Sequence, residues 1–197
     1  MYEIFGYPVQ ALGGQLLLGL VNGSFYALLS LGLAIIFGML GIVNFAHGVM
    51  FMIGAHVAFI VSSIFGLSYW SSLLIAPLVV AVLGIVVEQT LLKRLYKIDP
   101  LYNMLLTFGL AMMAEGLFRQ AFGVSGHSVN VPSQLQGAVN LGFMVMPIYR
   151  VWVIFASAAV CVATWYAVEK TRFGAVLRAG TENPALTQAF GINVPRI

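Results

Sequence analysis

Charge is nearly missing from this chain of 197 residues: Asp, Glu, Lys and Arg together supply 8% of it. A soluble domain carries roughly 25%, because water must solvate its surface. Between Ile4 and Val87 there is no Asp, Glu, Lys or Arg at all, and only His47 and His56 join the tyrosines as titratable groups there. No water-soluble fold buries so long an uncharged stretch without exposing aggregating apolar patches. Cysteine is as scarce: Cys161 is the only one, so an intrachain disulfide is excluded. The sequence contains no GxxxxGK(S/T) to cradle nucleotide phosphates, no HExxH and no paired-acid motif, so it offers no support for an enzyme that works on its own. Residues 1–5 lack the basic start of a secretory leader, and the first apolar stretch is expected to stay in the protein.

What is present is hydrophobic. Apolar residues make up 61% of the chain and mean hydropathy is +0.99. A span needs about 20 apolar residues to cross roughly 30 Å of hydrocarbon. Five stretches qualify: about Leu12–Leu40, Val49–Phe65, Trp70–Leu92, Leu101–Phe122 and Val151–Val168. The first is too long for one straight crossing unless it is tilted or broken, and Pro77 allows a kink in the third. The expected fold is therefore all-α, a polytopic transmembrane bundle of about five to six membrane helices in a single domain over 1–197. The formal charge of +3 comes from scattered basic residues, too few for a nucleic-acid footprint. They read instead as topology signals, since Lys and Arg in short loops stay cytoplasmic. Lys93, Arg94 and Lys97 form one cluster; Lys170, Arg172 and Arg178 form another. With five spans, parity puts the N-terminus outside, 123–147 in an extracytoplasmic loop and 171–197 on the cytoplasmic face. The alternation from Ala138 to Phe143 permits a short hairpin in the outer loop.

Several polar positions stand out against this background. Gly19, Gly23 and Ala27 recur every four residues as a small-residue face suited to close helix packing. Asn22 lies beside them, and an amide buried there must find partners. Gly38, Gly41 and Gly48 bracket Asn44 and His47, which suits either a cytoplasmic turn or a break that lines a wet cavity. His47 and His56 are nine residues apart, not the spacing of a metal pair on one helix face, so no metal site is expected. Glu88 is five residues from Lys93, and Glu115 is four before Arg119, a favourable helical pair. Near the C-terminus, Thr181 is expected to cap a short helix of about two turns, with Glu182 at its positive end, Pro184 in its first turn and Gly191 in a left-handed cap. Ala185, Leu186, Ala189 and Phe190 would share one narrow apolar face of that helix.

These residues resemble a known family. The run from Asn22 to Leu28, then Gly32-Leu33, Ile36 to Gly38 and Asn44 to Gly48, is similar to the opening of high-affinity branched-chain amino acid permeases, the membrane subunits of ABC importers. Leu106 to Leu110, and Arg178-Ala179 through Gly191 to Val194, match later parts of that pattern in order. The resemblance implies a multi-pass subunit of a bacterial inner (plasma) membrane that pairs with a second permease subunit. Cytosolic ABC ATPases would dock on the loop carrying Arg178, Glu182, Ala185, Leu186, Phe190 and Gly191, and a periplasmic binding protein would deliver substrate. Asn22, Asn44, His47 and Gly48 would shape the translocation pathway. No cofactor is expected on this chain, because ATP would act on the partner. Related permeases carry urea or short amides, and the sequence leaves these substrates open. Members of the family continue with further spans, so the chain is also read as C-terminally truncated, either a fragment or the product of a truncated gene, with a non-transporting remnant or assembly subunit as the alternative to a permease.

Overall fold

The computed structural model describes residues 3–4, 7–40, 43–96, 98–142 and 144–192. The protein is all-α apart from two small antiparallel ribbons. It divides into two compact units, one formed by Met1–Leu40 with Leu135–Ile197 and the other by Gly41–Gln134. Five helical segments are long and apolar enough to cross a membrane: Ala11–Gly38, His47–Ile64, Tyr69–Arg94, Pro100–Phe122 and Ile148–Lys170. They coincide with the five expected stretches. The chain is a multi-pass membrane protein, and large side chains such as Leu16, Leu74 and Leu105 accordingly point outward.

In the first unit, β1 (Glu3–Ile4) pairs with β2 (Tyr7–Pro8) ahead of α1 (Val9–Leu40). Helix α1 is unbroken over 32 residues, about 48 Å at 1.5 Å per residue. It therefore exceeds one perpendicular crossing without the break that its length allowed. Its buried and half-buried positions include Gly14, Leu17, Val21, Ser24, Leu28, Leu31 and Ile35. That period of 3.5 makes a single stripe, which packs against α5 (Ile148–Lys170). The facing stripe on α5 includes Val153, Ser157, Cys161, Thr164 and Val168.

The short hairpin expected near Ala138 to Phe143 forms as β3 (Ala138–Asn140) and β4 (Val145–Pro147), with Val139 opposite Met146. Asn140 Oδ1 accepts from the Gly142 N–H at 2.9 Å, and Gly142 has φ +83. A side chain there would be strained, so glycine makes this turn. Beyond α5, the chain reverses into α6 (Arg172–Glu182) and then α7 (Pro184–Ala189).

The second unit holds α2 (His47–Phe59), α3 (Tyr69–Thr90) and α4 (Pro100–Phe122). Helix α2 widens into one π-turn at Ile60–Ile64, where the Phe65 N–H reaches the Ile60 carbonyl at 3.1 Å. Ser68 caps α3 and Asp99 caps α4, each accepting a backbone N–H just inside its helix. Pro77 sits inside α3, which runs through it as one helix. Ser72 and Ala76 are the buried positions of α3, which packs against α2 where Gly54 faces Val80.

Candidate functional site

Three places hold most of the polar residues singled out by the sequence. The first is the turn that opens α2. Gly41 lies outside the described residues, but Asn44 to Gly48 are resolved. Asn44 Oδ1 accepts from the Ala46 N–H at 2.9 Å, and the Asn44 carbonyl accepts from the His47 N–H at 3.3 Å. Asn44 is thus the residue that closes the turn, as asparagine does when it bonds its own backbone two residues on. The turn is not set in a plain solvent loop. The Phe45 N–H donates to Thr107 Oγ1 of α4 at 3.2 Å, and Thr107 is 0% exposed. The Phe45 ring meets Phe108 edge-on at 6.2 Å, and Ala46 is buried. Thr107 lies two turns inside α4, so the turn reaches into the depth of the helices rather than capping their ends. Its hydroxyl also donates to the Met104 carbonyl at 3.1 Å. One turn earlier, Asn103 is buried and its Oδ1 has no hydrogen-bond partner among the described residues.

Asn22 behaves differently. The stripe that α1 turns toward α5 carries Val21 and Ser24, and Asn22, one residue along, is rotated by about 100° out of it. The side chain expected to be a buried amide is exposed. Gly19 and Gly23 are exposed too, and a β-carbon on either would touch nothing within 4 Å. The small-residue face is therefore open, whereas Gly14 of the same helix faces Met144 Sδ.

The second place is a cavity of about 490 Å³ along α2 and α4, extended by Gly123 to His127. Gly48 lines its wall, as do Val49, Met52, Glu115 and Phe118. Glu115 and Arg119 form the expected pair, at 2.6 Å. His56 is held between Phe118 and Phe122, with ring centroids 4.6 Å and 5.0 Å away. His127 stacks on Phe59 at 4.6 Å, and one of its ring nitrogens lies 3.0 Å from the Phe122 carbonyl. This aromatic and histidine cluster was not legible in the sequence, because His127 comes from a loop with no periodicity.

Glu88, expected near Lys93, instead accepts from the Tyr96 hydroxyl. The chain turns back through a 3₁₀ segment, Leu92–Arg94, which brings Tyr96 over the end of α3 and leaves Lys93 exposed. Burial first, and then the hydrogen bond and charge of Glu88, push the Tyr96 phenol far above its ordinary value of 10.0.

The third place is the polar C-terminal segment, where the structure corrects the expectation. There are two helices, not one. Thr181 is no cap; it lies inside α6 with its hydroxyl donating to the Arg178 carbonyl at 2.9 Å. Glu182 ends α6 instead of opening a helix, so it does not sit at that helix's positive end. The cap is Asn183, whose Oδ1 accepts from the Leu186 N–H at 3.0 Å directly before Pro184. The reason is local: proline has no N–H and so needs no acceptor at the first helical position, and the cap belongs one residue ahead of it. Gly191 takes the expected left-handed conformation, φ +81.

Helix α6 is held tightly to the end of α5. Thr171 caps it by accepting from the Gly174 N–H at 3.2 Å, and Gly174 is buried against the last turn of α5. The Arg178 guanidinium donates to the Val168 carbonyl and, at 3.1 Å, to Glu169. This covers a carbonyl that the helix end would otherwise leave without a partner. Thr187 of α7 donates to the Ala179 carbonyl at 2.8 Å and is buried, which fixes α7 on α6. Leu186 and Phe190 then project outward, 59% and 78% exposed. Ala189 is exposed beside them, and the side chain of Ala185 lies outside the described residues.

The family described as branched-chain amino acid transport system, permease component, matches residues 15–197. A probable branched-chain amino acid transport permease protein LivH of Methanocaldococcus jannaschii is 27% identical over 94% of this chain and 60% of its own length. The high-affinity branched-chain amino acid transport system permease protein BraD of Pseudomonas aeruginosa is 24% identical over 91% of this chain and 62% of its own. The corresponding LivH of Escherichia coli is 24% identical over 100% of this chain and 66% of its own. The chain thus spans a little under two thirds of the length of these relatives. No solved structure matches it.

Proposed function

The chain belongs to the family of branched-chain amino acid transport system permease components, and from that membership we propose that it is the membrane-spanning subunit of an ABC importer for branched-chain amino acids. Its site would be the inner (plasma) membrane, beside a second permease subunit. Cytosolic ATPases would drive it, and a soluble binding protein would deliver substrate from outside. The observation that carries the reading is the family match over 15–197, joined to an exposed Leu186 and Phe190 on a firmly seated helix pair.

The physical requirement is rigidity. Driving a two-state transporter from 1:99 to 99:1 needs about 5.5 kcal/mol of differential binding, which must pass from the ATPase into the membrane helices. A flexible tail cannot transmit it. Helix α7 is tied to α6 through Thr187, and α6 to α5 through Arg178 and Gly174, so a push on Phe190 would reach a membrane helix directly. Asn44, His47 and Gly48 would belong to the moving part, since their turn is seated on Thr107 inside α4.

The test is ATP-dependent uptake into proteoliposomes. The permease gene is expressed with its partner permease and ATPases, and the complex is offered leucine, isoleucine, valine and urea with the binding protein. Uptake of the three branched-chain amino acids, abolished without ATP, is expected. Uptake of urea alone, or none of the four, would overturn the reading.

A further inference from the structure

We infer that the cavity between α2 and α4 is a subsite for the zwitterionic head of a free aliphatic amino acid, with Glu115 receiving the ammonium and Arg119 the carboxylate. The inference rests on the importer reading and deepens it by placing the substrate.

Helix α4 runs from Pro100 to Phe122, and Glu115 and Arg119 are its only acidic and basic residues. Charges in a membrane helix are expensive, and they face a wet cavity or one another. Here both are true. The pair closes at 2.6 Å, yet the two side chains remain 45% and 64% exposed, and both line the cavity of about 490 Å³. Such a volume is in the range of small-molecule sites. Their outer faces are therefore free to meet a solute. Beside them one side of the wall is apolar, formed by Phe118 with Val49 and Met52 of α2, while Ser125 and His127 line the loop side.

His56 belongs to the same wall. Its ring lies against Phe118 and Phe122, and its Nδ1 is 3.0 Å from the Met52 carbonyl.

One anionic and one cationic group, side by side at the edge of an apolar pocket, complement a single kind of small solute. A free α-amino acid carries an ammonium and a carboxylate on one carbon, and an aliphatic side chain projects away from both. The planar guanidinium suits a carboxylate through two parallel hydrogen bonds. A simple anion would be repelled by Glu115 and a simple cation by Arg119. Urea has no charge to offset the separation of the pair.

Three measurements test this on the complete permease and ATPase complex in proteoliposomes, using radiolabelled L-leucine, with L-leucinamide and N-acetyl-L-leucine as competitors. Glu115→Gln and Arg119→Gln should each raise the half-saturating leucine concentration at least tenfold while complex assembly is retained. Leucinamide and N-acetyl-leucine should compete poorly against the unaltered protein. Glu115→Gln should narrow the handicap of N-acetyl-leucine, and Arg119→Gln that of leucinamide. A purely structural ion pair makes a different forecast: the charge-swapped double variant, Glu115→Arg with Arg119→Glu, would recover full leucine affinity. In a subsite the swap reverses the polarity against the apolar wall, and affinity stays low. Unchanged affinity in both single variants, or full recovery by the swap, overturns the subsite alone. An unaltered complex that moves no leucine overturns the importer reading and the subsite with it.

Discussion

Gly174 lies so close beneath the Val168 carbonyl that a β-carbon on it would overlap the oxygen. No flexible side chain can yield there, because the obstruction is backbone at the end of a membrane helix. Gly174→Ala should therefore open the reversal between α5 and α6. Overpacking of this kind costs about 1–3 kcal/mol, and a backbone clash belongs at the upper end. The check is thermal unfolding of the purified subunit in nanodiscs. A midpoint equal to that of the unaltered protein would show that α6 does not need this close seat.

Phe190 and Gly191 should govern docking of the ATPase. Phe190 is 78% exposed beside Leu186, and buried aromatic anchors tend to dominate an interface. Phe190→Ala should weaken docking by about 2 kcal/mol or more. Gly191→Val should act through the backbone, since φ +81 disfavours a branched residue. Co-purification with the cognate ATPase from detergent, together with substrate-stimulated ATP hydrolysis, measures both. Full binding and stimulation in both variants would reduce α7 to a connector.

Thr107 anchors the opening turn of α2 to α4 through the Phe45 N–H. Thr107→Val leaves that part-buried N–H without its acceptor, at a cost of about 1 kcal/mol. Thr107→Ser keeps the hydroxyl and should cost less. Asn44→Leu removes the acceptor of the Ala46 N–H and should lower uptake, while Asn44→Asp should retain more of it. Chemical unfolding and leucine uptake, measured side by side, distinguish a turn that merely folds from one that moves. Equal stability of Thr107→Val and the unaltered protein would remove the anchor from this account.

Tyr96 makes a forecast about alkaline pH. Its proton is held above the ordinary phenol value of 10.0. The folded state thus binds that proton more tightly than the unfolded state, so the stabilisation is fully present below pH 10 and fades as pH rises beyond it. Tyr96→Phe removes this dependence. Across pH 8 to 11 in nanodiscs, the unfolding midpoint of the unaltered protein should fall more steeply above pH 10 than that of Tyr96→Phe. Parallel curves would mean that Tyr96 and Glu88 contribute nothing that titrates.

Topology has its own test. In a Cys161→Ala background, Ser128→Cys should react with an impermeant thiol reagent in intact cells, and Gln188→Cys should react only after the cells are opened. Both positions are exposed, so accessibility reports sidedness rather than burial. The reverse pattern would invert the assignment of the basic clusters to the cytoplasm.

Composition and hydropathy determined the fold class, because a chain with 8% charged residues and five apolar runs has one kind of solvent that it can suit. The helix ends were legible within a few residues for the same reason, and the Glu115–Arg119 pair followed from helical spacing alone. Spacing along one helix is local physics. Tertiary structure decided what depends on the direction in which a helix turns its faces, or on which loop returns to which helix. Asn22 is exposed because α1 points Val21 and Ser24 at α5. Glu88 meets Tyr96 rather than Lys93 because the chain folds back after Leu92. Thr107, one threonine within an apolar helix, became the seat of the α2 turn only when Phe45 was brought to it from 62 residues away. Asn183 displaced Thr181 as the cap because α6 first used Thr171 to begin and ran on through Thr181. Apolar pattern fixes which segments leave water, whereas hydrogen-bond partners across long loops are chosen by packing that no single segment contains.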